Sequence, residues 1–158
     1  MAAAGKWKVY EQAKLRMGGL TAVDFTSASN WSLALFLSTS NANTLSGSSV
    51  YADLTNEVAN GLGYLTGGVA ITGESFTNTT GTETFTSGTA VWTASGGSIV
   101  ARFGVIYKNA TVNAIVKPIL CVCLLDATPA DVTATTGNTL TITMNASGIF
   151  TLSGAAVD

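Results

Sequence analysis

From Asn138 to Met144 the chain reads Asn-Thr-Leu-Thr-Ile-Thr-Met, and after Asn138 threonine stands at every odd position and an apolar side chain at every even one. Successive side chains of a β-strand point to opposite faces, so a period of two marks a half-buried strand and excludes a helix. The threonines face outward and Leu140, Ile142 and Met144 inward. The same period recurs in Trp31-Ser-Leu-Ala-Leu-Phe-Leu-Ser38, where Trp31, Leu33, Leu35 and Leu37 share a face opposite Ser32, Ala34, Phe36 and Ser38. It recurs again in Ser98 to Tyr107, with Ile99, Ala101, Phe103, Val105 and Tyr107 on one side.

Shorter strand-like runs fill the intervals: Tyr51 to Leu54, Tyr64 to Thr72, the neighbourhood of Phe76, Thr82 to Phe85, and Thr89 to Thr93. Ile115 to Leu125 is apolar on both faces apart from Lys117. Pro118 belongs at an edge or at the strand start, because it has no N–H for a ladder. Gly67-Gly68 inside a strand-like run predicts a bulge or a close backbone approach. Asn145 to Gly148 leads into Ile149-Phe-Thr-Leu152, a hairpin by spacing. Eight to ten short strands separated by turns predict an all-β fold, best matched by a jelly-roll-like two-sheet β-sandwich. One short N-terminal helix is expected from Lys6 to Met17, with Gly18-Gly19 as its stop and Leu20 and Val23 leading towards the first strand. The expected organisation is therefore a helical arm over residues 1–20 and a sandwich domain over residues 21–158.

A chain of 158 residues suffices for one domain with a real core. Charged residues make up 10%, against about 25% in ordinary globular chains. Thr, Ser, Gly and Asn take their place, and so neutral a surface suits a protein whose faces are covered by neighbours. The net charge of −2 argues against direct nucleic-acid binding. Charge is uneven, however: Lys6, Lys8, Lys14 and Arg16 oppose only Glu11 in the first twenty residues. That basic segment could meet an acidic surface, and Lys6, Trp7, Lys8, Tyr10, Lys14 and Arg16 are the candidate interface residues. The start lacks the long apolar core of an export signal, and no run is long enough for a membrane helix. The sequons at Asn30, Asn78, Asn109 and Asn145 follow from the abundance of Asn, Ser and Thr.

No histidine occurs, which removes the commonest general base and metal ligand together. Cys121 and Cys123 lie two apart on a strand, a poor geometry for a disulfide, and read as small buried apolar residues. Asp53 with Glu57, and Glu74 with Glu83, are the conceivable catalytic carboxylate pairs; Asp126 with Asp131 is a weak calcium pair. Gly61-Leu-Gly63 lacks the Lys-Ser/Thr of a phosphate loop and reads as turn chemistry. No catalytic residue, cofactor or metal is expected. Arg102 is the lone charge in the strongest strand and faces either solvent or an interface. Trp31, Trp92, Tyr51, Tyr64 and Tyr107 are the aromatic residues that a sugar-binding face would need; Trp31, beside three leucines, reads as core.

Four stretches carry a resemblance. They are Lys8-Val-Tyr-Glu-Gln-Ala-Lys-Leu-Arg-Met-Gly-Gly19 with Trp31 to Ser38, and Tyr51-Ala-Asp-Leu-Thr-Asn-Glu-Val58 running into Gly61-Leu-Gly-Tyr-Leu-Thr-Gly-Gly68. The others are Val91-Trp92 with Ile99-Val-Ala-Arg-Phe-Gly-Val-Ile-Tyr107, and Thr139-Leu-Thr-Ile-Thr with Gly148-Ile-Phe-Thr-Leu152. Together they resemble a family of small virion structural proteins of tailed bacteriophages, the capsid decoration or cement proteins. The resemblance implies a non-enzymatic protein on the outer surface of the phage head. It would bind the major capsid protein, stabilise capsomer contacts and act as a homo-oligomer, a dimer or trimer. The alternative is a tail-fibre or baseplate β module that binds a receptor or glycan.

Overall fold

The computed structural model describes residues 4–18 and 30–153. Its strands are β1 (Lys8–Val9), β2 (Trp31–Phe36), β3 (Val69–Ala70), β4 (Ser75–Thr79), β5 (Thr82–Thr86), β6 (Ala90–Thr93), β7 (Ile99–Ala101), β8 (Phe103–Lys108), β9 (Thr111–Val112), β10 (Ile115–Val116), β11 (Ile119–Leu124), β12 (Val132–Ala134), β13 (Thr139–Ile142) and β14 (Phe150–Ser153). A single helix, α1 (Glu11–Gly18), follows β1. A five-stranded sheet runs in the order β1-β11-β8-β2-β3; β14-β5-β4 form a second sheet; and β12-β7, β13-β6 and β10-β9 pair as ribbons. Every pairing is antiparallel. The architecture is all-β and sandwich-like, as the period-two alternation requires.

The centre of the large sheet shows why its strands are so apolar. All six residues of β2 and all six of β8 are buried. Strands covered on both faces read as continuous apolar runs rather than alternating ones, and this accounts for Phe36 and Ala34 on the face opposite Leu33. Where one face is open the alternation returns. On β13 and its partner β6, Ala90, Trp92 and Ile142 are buried while Val91, Thr93, Thr139 and Thr141 are exposed.

Ser98 to Tyr107 is expected as a single strand, but it serves two sheets. β7 pairs with β12, and β8 pairs with β11 and β2. Arg102 sits at the change of partner, where its N–H donates to the Phe36 carbonyl at 2.8 Å and its carbonyl accepts from Leu125 N–H at 2.9 Å. The run thus stitches the ribbon to the large sheet without a loop.

Gly68 realises the close approach expected of the glycine pair. Its φ is +72°, and a Cβ there would lie 1.8 Å from the Leu33 carbonyl oxygen. Only glycine lets this backbone lie against β2. Pro118 stands immediately before β11, where its carbonyl accepts from Lys108 N–H. Cys121 and Cys123 are buried free thiols; burial pushes Cys121 well above the usual thiol range and Cys123 up to about 12.

Three expectations need correction. The helix is shorter than Lys6–Met17, because Lys8 and Val9 pair with Val122 and Cys121 as the outer strand β1. The stretch containing Trp7, Tyr10 and Lys14 fits helical spacing, but the open edge of β11 offers this segment a ladder. Lys8 and Val9 are therefore built into the large sheet and α1 follows them, while Gly19, Leu20 and Val23 lie outside the described residues. Tyr51 to Asp53 is a 3-10 turn and not a strand; the Asp53 carboxylate accepts from the N–H groups of Ser49 and Val50 and closes it. Finally, β14 forms no hairpin with β13. It crosses to pair with β5, Phe150 opposite Phe85, where the two rings stack at 5.5 Å and Phe85 in turn meets Trp31 at 5.5 Å. Turn spacing identifies a reversal of the chain but not the strand's eventual partner.

Candidate functional site

The carboxylates considered as pairs from the sequence have different surroundings. Asp53 is occupied by the two backbone N–H groups, which hold it below the usual carboxylate range. The Glu57 carboxylate accepts from the Tyr64 hydroxyl and from Gly67 N–H, each at 2.6 Å. Glu83 accepts from the Asn78 side chain in the β4–β5 ladder. Glu74 is buried with both carboxylate oxygens unpartnered among the described residues. Asp126 accepts from the Thr128 hydroxyl and N–H, which lower its pKa, the hydroxyl more than the N–H. Asp131 accepts from Arg102 Nε at 2.7 Å, so the lone charge of the strongest strand meets a partner within its own chain. No cluster of three or more His, Cys, Asp or Glu able to hold a metal ion occurs among the described residues.

The Glu57 network organises the segment 57–68. The Tyr64 hydroxyl also accepts from Leu35 N–H at 3.0 Å, and the Tyr107 hydroxyl donates to the Gly67 carbonyl at 2.9 Å. Tyr51 and Tyr107 stack at 4.4 Å, and the Lys117 ammonium lies 5.6 Å and 5.9 Å from their ring centroids. Burial, then Glu57, pushes the phenols of Tyr51 and Tyr64 far up. The assembly is a clasp that seats a glycine-rich loop on β2. Sequence reading missed it because its members come from five separate segments.

The basic N-terminal residues divide into two groups. Lys6, Lys8 and Lys14 are exposed and Trp7 is half-buried. Tyr10, by contrast, is 0% exposed, and its hydroxyl donates to the Ala42 carbonyl at 2.6 Å. As an interface residue Tyr10 is therefore corrected to a core residue. Arg16 is half-engaged, its guanidinium donating to the Ser49 carbonyl at 2.7 Å and to Ser49 Oγ at 3.3 Å. Beside Lys6 lies a cleft of about 600 Å³. One wall is Ala4 to Trp7; the other comes from Thr143 and the turn into β14, as far as Thr151. Among the described residues, Lys6 is its one charged lining residue. No sequence signal couples these walls, which are separated by almost the whole chain.

Comparison with family models, curated proteins and solved structures finds no match for this chain.

The aromatic side chains that a sugar-stacking face would use are packed inward. Trp31, Trp92, Tyr64 and Tyr107 are all buried, and Tyr64 and Trp92 lie 6.3 Å apart in the core. Among the described residues no helix is long and apolar enough to cross a membrane.

Proposed function

We propose that this chain is a virion structural protein, a decoration or cement protein that binds the outer surface of a phage head and stabilises the contacts between capsomers. It works by covering surfaces and has no catalytic role. The observation that carries the reading is how its few charges are used. Arg16, Arg102, Asp53, Glu57, Glu83, Asp126 and Asp131 are engaged in internal hydrogen bonds or ion pairs, and Glu74 is buried. Lys108 is buried over the Trp31 ring, and Lys117 lies over two tyrosines. Among the described residues, the exposed charged side chains without an internal partner are Lys6, Lys8, Glu11 and Lys14, all on one short segment.

The result is a surface with its free positive charges on one segment and uncharged strand faces such as Val91, Thr93, Thr139 and Thr141 elsewhere. A basic patch steers the protein to an acidic surface, and stiff β-branched faces lose little side-chain freedom when covered. Repetition over a shell multiplies each contact through avidity. Binding to the assembled shell stabilises it because dissociation must expose the buried area again.

Gold-labelled antibody against the protein, applied to virus particles from the source culture, tests the reading. Label on the head shell is expected. Label on tails would favour the tail-module alternative, and particles free of label would refute both.

A further inference from the structure

Both walls of the 600 Å³ cleft border the ends of sheets. Among the described residues β1 is the outer strand of the five-stranded sheet and β14 the outer strand of the three-stranded one. Residues 5–7 continue β1 along β11, with Gly5 N–H donating to the Leu124 carbonyl at 2.9 Å. An outer strand presents a row of main-chain donors and acceptors on its open side, a template for one more strand. Here two such edges flank one cleft, beside the patch where the free positive charges collect. A second, smaller cavity of about 100 Å³ lies on the other side of the same segment, lined by both Lys6 and Lys8.

We infer that the cleft is a strand-addition site for an extended, acidic segment of a partner protein, which pairs with the outer edge of β14 and places a carboxylate against Lys6. Main-chain pairing supplies the affinity, and Lys6 sets the preference for a negative side chain. A basic segment would bring its charge onto Lys6 with no carboxylate among the described lining residues to offset it. The inference deepens the shell-binding reading by naming the chemistry of the partner, and it takes the partner's identity from that reading.

The full chain, labelled with ¹⁵N, is titrated with a capped peptide of alternating Thr and Val carrying one central Glu, and with the same peptide carrying Lys there. The Glu peptide is expected to shift amide signals of residues 4–8 and 147–152. The Lys peptide should bind at least tenfold more weakly, and Lys6→Glu should reverse that order. Thr151→Trp, a substitution at an exposed position that fills the cleft, should abolish binding of both. Absence of shifts at these amides, or a Glu preference that survives Lys6→Glu, would overturn the inference. Concentration-dependent shifts of the same amides without peptide would also overturn it, because the occupant would then be a second copy. Peptide binding by a protein that labels no particle would sink the shell reading alone. Normal decoration of heads by the Thr151→Trp variant would sink the cleft alone.

Discussion

Tyr10 illustrates how a single side chain can look like surface and be core. Its position among Lys6, Lys8 and Lys14 suggests an exposed anchor, yet its ring is sealed beneath the Asn41–Asn43 turn and its hydroxyl serves the Ala42 carbonyl. Tyr10→Phe keeps the ring and removes the donor to a buried carbonyl, which costs about 1–3 kcal/mol. Urea unfolding should show a lower midpoint at an unchanged slope. The opposite sign is expected in the β9–β10 hairpin. Asn113 and Ala114 have φ of +49° and +65°, the double left-handed turn that favours Asn-Gly. An alanine there is strained, so Ala114→Gly should raise stability by about 0.5–1 kcal/mol, net of the entropy that glycine adds to the unfolded chain. The same urea titration reads this gain.

At the scale of elements, the strands were legible wherever the period of two is kept. The Thr139–Ile142 alternation and the inward Trp31, Leu33 and Leu35 follow directly from their spacing. Partner choice was not legible. The same β14 pattern is satisfied by β13 or β5, and only the Phe85–Phe150 contact decides between them. The first strand was hidden because two residues of ladder carry no period of their own. The cleft was invisible for a related reason: its walls share no local motif. β1 also changes what a truncation reports. Removing residues 1–10 uncovers the edge of β11 and takes Tyr10 out of the core, a loss of about 3–5 kcal/mol by analogy with other large aromatic deletions. The shortened chain should unfold at markedly lower urea and aggregate by light scattering. Loss of particle binding by such a deletion would therefore reflect folding as much as docking, and charge reversal at Lys6, Lys8 and Lys14 is the cleaner probe.

For the whole molecule, the buried tyrosines set the alkaline limit. Burial raises the pKa values of Tyr10, Tyr51, Tyr64 and Tyr107 above the ordinary tyrosine value. The folded state thus holds these protons more tightly than the unfolded chain, in which they leave near pH 10. Their contribution is fully present below that pH and is lost as pH rises towards the folded values. Tyrosinate absorbance and loss of circular dichroism should rise together in one cooperative step above about pH 10. Separate ionisation at pH 10 with structure retained would show that the rings are open to solvent. Charge acts at this scale too. Exposed lysines are screened within about 8 Å at physiological salt, so association with an acidic partner through Lys6, Lys8 and Lys14 should weaken in sedimentation assays as salt is raised from about 0.05 to 0.5 M.

The two walls of the cleft also carry a consequence for biosynthesis. Ala4 to Trp7 leave the ribosome some 140 residues before Ile149 to Thr151, so no nascent chain can present the completed cleft before β14 has been translated. An aborted product that stops short of β14 keeps its basic segment but has only one wall of the cleft. On the proposed reading, the order of synthesis alone thus decides which molecules can engage a partner, without any additional checkpoint.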